Sequence, residues 1–452
     1  MKLTGQQVAD AASVAESCIR YRAVMGAVPA VSYAISQDGR TVLSGAHGAS
    51  DLAAGTPASE HTGYRVASIT KTFTATLVMQ LVERGKVRLD EPVTSYLGWL
   101  RPAVGDSGLT VRHLLTHSGG VIRDGSCGWR PGQFPTREQV REELLDHGTF
   151  AEPAVGFRYS NVAYSLLGEI IETVSGRQFA KALDRNIARP LGLEESGTRL
   201  TKRLRSTLAT GYWRQLPGES ARPIVHSEAD AFEPAGGLIS CVSDLLAYQQ
   251  AHLPDSPGLV SELSKREMQR VQWQRSEEPH HGLGWMIYNV DGIAVRGHSG
   301  GYPGFTTRIG FSPEHRLCAA VLTNTISPLS GIGLDLMFHA IARVNALWDD
   351  AATGSHGLNR RALARLSGLY RGDFGDALVA RLHNSIYLID PTEDRPLRIP
   401  SRLSPVDEHG RFVIVDNDDY GNRGEQVAFE IPDSGPAQAL RLGWEWLRRV
   451  DD

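Results

Sequence analysis

One Ser-x-x-Lys tetrad, Ser68-Ile69-Thr70-Lys71, opens an apolar run that reads as a helix. Residues three apart share a helix face, so the hydroxyl and the amine stand side by side. Only 6 of the 47 basic residues are lysine, and Lys71 is enclosed by Ile69, Phe73, Ala75 and Leu77. Desolvation and the positive helix end both disfavour its ammonium form, which predicts a neutral amine able to accept the serine proton. A helix start also directs free N–H groups at an anion forming near Ser68. The structural alternative is a serine N-cap followed by a lysine whose charged end reaches water.

Tyr159-Ser160-Asn161 stands just before a second helical run. In extended backbone, i and i+2 point to one side, so the Tyr159 phenol and the Asn161 amide face one cleft. A phenol beside a cationic lysine is expected to titrate below its usual range and to relay a proton to a leaving group. The alternative makes Asn161 an N-cap and Tyr159 core. Gly297-His298-Ser299-Gly300-Gly301 follows a strand expected at Ile293 to Arg296. A strand edge ending in glycines exposes N–H groups to a substrate carbonyl oxygen. His298 there can bond substrate or the Tyr159 hydroxyl. The same five residues satisfy Gly-x-Ser-x-Gly, the nucleophile elbow, but the elbow needs a helix directly after the serine. Tyr302-Pro303-Gly304 is a poor helix start, which argues against Ser299 as nucleophile.

Together and in this order, Ser68-x-x-Lys71, Tyr159-x-Asn161 and His298-x-Gly300 resemble the serine β-lactamase and penicillin-binding-protein superfamily, in its class C and carboxylesterase branch. The segments His113 to Gly120, Pro234 to Ser240 and Gly300 to Phe305 are similar to that family as well. The resemblance implies that Ser68 forms an acyl-enzyme while Lys71 and Tyr159 handle its proton. It also implies that Asn161 bonds the lysine or the substrate, and that the N–H groups of Ser68 and Gly301 form an oxyanion hole. His298 stands where relatives that act on β-lactams carry lysine; being neutral at pH 7, it is a poor partner for their carboxylate. The implied substrates are small esters, amides or peptides, including D-configured ones. The rivals are a biosynthetic transacylase or peptide-releasing thioesterase, and a non-catalytic covalent ligand binder. His113, His117 and His281 read as structural.

These pieces must be held by a scaffold that the pattern also outlines. Residues 6–25 read as a helix, and Pro29 to Ile35 with Thr41 to Ser44 as a hairpin around Asp38-Gly39. Ile69 to Arg84 is a buried helix stopped by Gly85, Val111 to Thr116 a short helix, and Val162 to Val174 another ahead of Gly176. Gly284 to Val290, Ile293 to Arg296, Thr306 to Phe311 and Leu317 to Leu322 read as strands, and Ile332 to Leu347 as a closing helix. Strands at both ends with helices between predict an α+β fold, its antiparallel sheet assembled from the two chain ends beside a helical subdomain. Asp349 to Gly357 reads as a linker. Five short strands beyond it (at 378, 386, 412, 427 and 439) predict a small β-barrel resembling a lipocalin. The expected domains are therefore 1–350 and 358–452.

Composition bounds the function. Over 452 residues the net charge is −4, against a dedicated nucleic-acid binder. The chain lacks ~20 unbroken apolar residues, so no membrane partner is expected. Its start lacks an apolar leader, and Cys18, Cys127, Cys241 and Cys318 fit no zinc or disulfide spacing, which predicts no metal, no cofactor and a cytoplasmic location. A homo-oligomer is compatible with this reading.

Overall fold

The computed structural model describes residues 3–105, 107–130, 132–215, 219–353, 360–407, 410–416 and 423–450. The described chain divides into two compact units. The larger comprises residues 27–289 and 294–334, and the other comprises 1–26, 290–293 and 335–452. The stretches 1–26 and 335–350 thus group with the C-terminal strands.

In the larger unit, β1 (Ala30–Gln37) and β2 (Arg40–Asp51) form the hairpin expected at Asp38-Gly39, with β3 (Thr56–Pro57) beyond it. A two-stranded ladder joins β4 (Tyr64–Arg65) to β5 (Ile239–Ser240). The main sheet is completed by β6 (His280–His281), β7 (Met286–Val290), β8 (Ile293–Tyr302), β9 (Phe305–Ser312) and β10 (Leu317–Thr323). Its order is β3-β2-β1-β10-β9-β8-β7-β6, so the first strand of this unit pairs antiparallel with its last, Tyr33 opposite Val321. The predicted union of the two chain ends is therefore what the structure contains. All residues of β1 and β10 are buried, as two-sided coverage demands.

Two helices carry the residues of interest. Helix α1 (Thr70–Glu83) is buried from Thr70 to Leu81. Its threonines satisfy their hydroxyls locally: Thr72 donates to Ile69 O at 2.8 Å and Thr76 to Thr72 O at 2.9 Å. Phe73 stacks on Tyr248 with centroids 3.6 Å apart. Helix α2 (Asn161–Ser175) ends at Gly176 in the left-handed conformation, as the sequence indicated. At Gly168 a Cβ would lie 2.1 Å from the Pro234 ring, so the bare backbone lets the short helix Glu233–Gly236 pack against α2.

The other unit holds a closed eight-stranded antiparallel barrel, in strand order around residues 368–449. Five of its strands coincide with those expected; Gly368–Arg371, Ser401–Pro405 and Glu445–Arg449 do not appear in the sequence reading. Their burial does not alternate cleanly, and they are four to five residues long. Two further expectations need correction. The closing helix runs from Leu329 to Thr353, through part of the predicted linker, because Asp349-Asp350-Ala351-Ala352 contains no glycine or proline to stop it. The rest of that linker, 354–357, lies outside the described residues. Strand β8 does not end at Arg296 but continues through the glycine-rich segment to Tyr302, since pairing with β9 persists at Gly300–Thr307 and Gly301–Thr306.

Candidate active site

Ser68 sits in a single 3-10 turn, Ala67–Ile69, leading into α1. Ala67 before it has φ 50°, a strained value for a residue with a Cβ. The turn kinks the chain so that Ser68 remains partly exposed while Ala67 and Ile69 are buried. The N-cap of α1 is Ile69 and no side chain caps it, so the Ser68 hydroxyl is not spent on capping. The first bonded N–H of the turn is that of Ile69, on Val66 O at 3.2 Å; the Ser68 N–H stands one residue ahead of it.

Lys71 is fully buried, and its Nζ has three close neighbours. Asn161 Oδ1 lies at 2.6 Å, Ala235 O at 2.8 Å and Ser68 Oγ at 3.0 Å. Burial pushes the amine well below the usual lysine range; the Asp124 carboxylate opposes this and the Arg123 charge adds to it. In its neutral form the amine has two N–H donors and one lone pair. Ala235 O can only accept, and Asn161 must present Oδ1 because its Nδ2 donates to Asp124. The two N–H bonds are thereby assigned, and the lone pair is left for the Ser68 hydroxyl. Asn161 is free for this because Ser160, not Asn161, caps α2, its Oγ accepting from Ala163 N–H at 2.8 Å.

The Tyr159 hydroxyl donates to Ser68 Oγ at 2.8 Å. Its pKa is raised, the reverse of the sequence expectation. Burial dominates and the Asp124 carboxylate adds to it, outweighing the Ser68 hydrogen bond and the Arg123 charge. Tyr159 thus stands as a protonated donor. His117 fixes its surroundings: the ring packs on Tyr159 with centroids 4.3 Å apart, and its Nδ1 accepts from Ser160 N–H at 3.1 Å. That is the structural part assigned to it from sequence.

His298 is 2% exposed and held down to about 3, first by burial and then by the Lys71 charge. Its Nδ1 faces Ser299 O at 2.7 Å, so Nδ1 carries the proton and Nε2 the lone pair. No hydrogen bond joins it to Tyr159 among the described residues. Gly300 touches the loop before Ser68: a Cβ there would meet Val66 O at 2.1 Å and Thr307 Oγ1 at 2.3 Å. Gly301 is exposed, with nothing within 4 Å of a Cβ. Ser299 has its Oγ 4.0 Å from Met286 Sδ in mid-strand, without the helix an elbow requires.

Sequence reasoning missed three residues here. Asp124 gathers the Asn161 amide, the Trp129 indole N–H at 2.9 Å and the Arg123 Nε at 2.9 Å. Arg123 accepts at its carbonyl from Asn161 N–H at 2.8 Å, and its guanidinium lies 5.7 Å from the Tyr159 ring centroid. Arg65, fully buried two residues before Ala67, donates to Gly237 O at 2.7 Å and pairs with Glu228 at 2.9 Å. Only the burial of Arg65 between Tyr64 and Val66 had a sequence signal, a charge inside an apolar run. Among the described residues no group of His, Cys, Asp and Glu is arranged to hold a metal, and no helix is long and apolar enough to cross a membrane.

Compared with known proteins, the family profile described as Beta-lactamase matches residues 15–340. Penicillin-binding protein 4* of Bacillus subtilis (strain 168) is 28% identical over 285 residues, 59% of this chain and 62% of that protein, so the match spans less than two thirds of its length. Esterase EstB of Burkholderia gladioli is 34% identical over 332 residues, 64% of this chain and 83% of the esterase. The solved structure of an octameric penicillin-binding protein homologue from Pyrococcus abyssi matches with a TM-score of 0.65 at 26% identity, over 96% of this chain and 99% of that one.

Proposed function

The chain belongs to the Beta-lactamase family of serine hydrolases, and from that premise we propose that it cleaves small esters, amides or peptides through an acyl-enzyme on Ser68. The observation that carries this reading is the placement of Lys71 Nζ, 2.6 Å from Asn161 Oδ1, 2.8 Å from Ala235 O and 3.0 Å from Ser68 Oγ, where a neutral amine would give its two N–H groups to the first two and turn its lone pair to the serine hydroxyl.

In the proposed reaction Ser68 Oγ attacks the substrate carbonyl as its proton passes to Lys71. The N–H groups of Ser68 and Gly301 receive the oxyanion; such donors are worth ~3 kcal/mol each to a transition state. Tyr159 then gives its proton to the leaving group, and the Lys71 ammonium, with Nζ 4.9 Å from the Tyr159 ring centroid, returns one to the phenolate. In deacylation the same pair takes a proton from water and returns it to Ser68 Oγ. Asn161 fixes the direction of the lysine lone pair. His298, neutral by burial, offers Nε2 as an acceptor rather than a cation, which favours substrates other than β-lactams. The four free cysteines fit a reducing compartment, and the octameric relative supports a homo-oligomer.

The test is a turnover panel of alkyl and aryl esters, D- and L-aminoacyl amides and acyl thioesters, with and without an amine acceptor. Product masses separate hydrolysis from transfer. If no member of the panel is consumed faster by wild type than by S68A, the reading is wrong.

A further inference from the structure

A cavity of about 200 Å³ opens against the C-terminal half of α1. Gln80 of that helix and its C-cap Arg84 line it, with Arg177 just past α2 and with Arg185 and Asn186. The last two belong to the segment Asp184–Ala188, wound as a π-helix, a form that recurs at functional sites. Leu77, Leu81 and Ile171, all buried, supply the apolar wall. At 1.5 Å per residue Gln80 stands about 14 Å along α1 from Lys71. None of the lining residues belongs to the site around Ser68.

Three guanidinium groups line the cavity, and among the described residues no carboxylate does. Arg84 and Arg185 make no ion pair and no side-chain hydrogen bond among those residues, and the Arg177 guanidinium donates to Ser175 O at 3.2 Å. The neighbouring acids are engaged elsewhere. Glu83 accepts from Ser261 N–H at 2.7 Å and from the Ser264 hydroxyl at 2.6 Å. Glu172 accepts from Arg137 at 2.7 Å and Phe179 N–H at 2.9 Å, and Asp184 pairs with Arg189 at 2.8 Å. Nor does the end of α1 need these side chains as caps: Gln80 O, Leu81 O and Val82 O already accept from the backbone N–H groups of Arg84, Lys86 and Gly85.

Gln80 is 6% exposed. Its Nε2 donates to Asn186 O and Leu259 O, both at 3.1 Å, which fixes the amide. Its Oε1 is buried without a hydrogen-bond partner among the described residues. A buried acceptor left unmet is rare and calls for a donor.

We propose that this cavity binds a hydrogenphosphate ion. Guanidinium forks match phosphate oxygens, and three of them suit a dianion better than a single carboxylate. The P–OH that hydrogenphosphate retains is the donor that Gln80 Oε1 lacks. Sulfate and the dianion of a phosphate ester bring the same charge without that O–H. The site is independent of the chemistry at Ser68.

The test is equilibrium dialysis of the full chain against radiolabelled phosphate at pH 8 and constant ionic strength, with sulfate and phenyl phosphate as competitors. The proposal expects one saturable ion per chain, and competition by sulfate and phenyl phosphate about tenfold weaker than by unlabelled phosphate. R84Q/R185Q should weaken binding about tenfold or more, while R40Q, at an exposed arginine of β2, should bind like wild type. Thermal unfolding in chloride confirms that the double variant folds. The upward shift of the midpoint that phosphate gives wild type by mass action should be missing from that variant. Absence of saturable binding, competition by sulfate or phenyl phosphate as strong as by phosphate, or unchanged binding in folded R84Q/R185Q would each overturn the site.

Discussion

Replacing Asp124 by Ala tests whether the direction of the Lys71 lone pair matters. The carboxylate is the acceptor that compels Asn161 to turn its Nδ2 away from the lysine and its Oδ1 toward it. Without it the amide loses one charge-assisted bond, worth ~1.5–3 kcal/mol, and gains freedom to present N–H to Nζ. An inverted amide takes the lone pair away from Ser68. The fraction of correctly oriented sites then falls by the same free energy, or roughly 10- to 150-fold in acylation rate. Asp124→Asn keeps an acceptor at the Oδ1 position and removes the charge, so its loss should be much smaller. Its signature is in pH. Asp124 raises the Lys71 pKa against the larger effect of burial, so losing the anion lowers it further. Acylation needs the neutral amine; the acidic limb of its pH profile must therefore move down in D124N, never up. The assay is the second-order rate of fluorophosphonate labelling from pH 5 to 9, with thermal unfolding confirming that both variants fold. Wild-type rates in folded D124A, or an acidic limb displaced upward in D124N, would refute the reasoning.

Three other outcomes follow from the geometry. Tyr159→Phe should slow alkyl esters by about 100-fold and p-nitrophenyl esters far less, because only the poorer leaving group needs the phenol proton; comparing kcat for the two series checks it. Gly300→Ala should unfold at lower denaturant than wild type by a few kcal/mol, since its Cβ would lie 2.1 Å from Val66 O, whereas Gly301→Ala meets nothing within 4 Å and should unfold like wild type. His252, His281 and His298 are held down to about 3 by burial, against ~6.5 in the unfolded chain. The unfolded state thus binds more protons between those values, and stability should fall as pH drops from 6.5, by up to about 1.4 kcal/mol per pH unit for each histidine. Urea unfolding at pH 7 and pH 5 measures it, and His298→Gln should shrink the difference.

The parts of the site legible in the sequence are those whose side chains announce their chemistry at short range. Ser68 and Lys71 share one helical turn, and Tyr159 and Asn161 one extended step, so local geometry already paired them. The sheet between the chain ends was legible from strand candidates on both sides of the helices, Pro29 to Ile35 and Leu317 to Leu322. Asp124 and Arg123 were not, because a polar loop between glycines gives no periodic signal, and their importance lies in partners 37 residues away. The direction of the Tyr159 shift was not legible because the sequence shows a lysine nearby but not the burial of the phenol, which outweighs the charges around it. The continuation of β8 through Gly297–Gly301 was hidden since glycine reads as a break, while the actual pairing with Thr306 and Thr307 is tertiary.

The most direct measurement is the mass of the intact protein, quenched in acid during turnover of an ester, followed by peptide mapping of any adduct. The account requires one acyl group on the peptide carrying Ser68, absent in S68A. An adduct on Ser299 instead, or turnover by S68A at the wild-type rate, would contradict it.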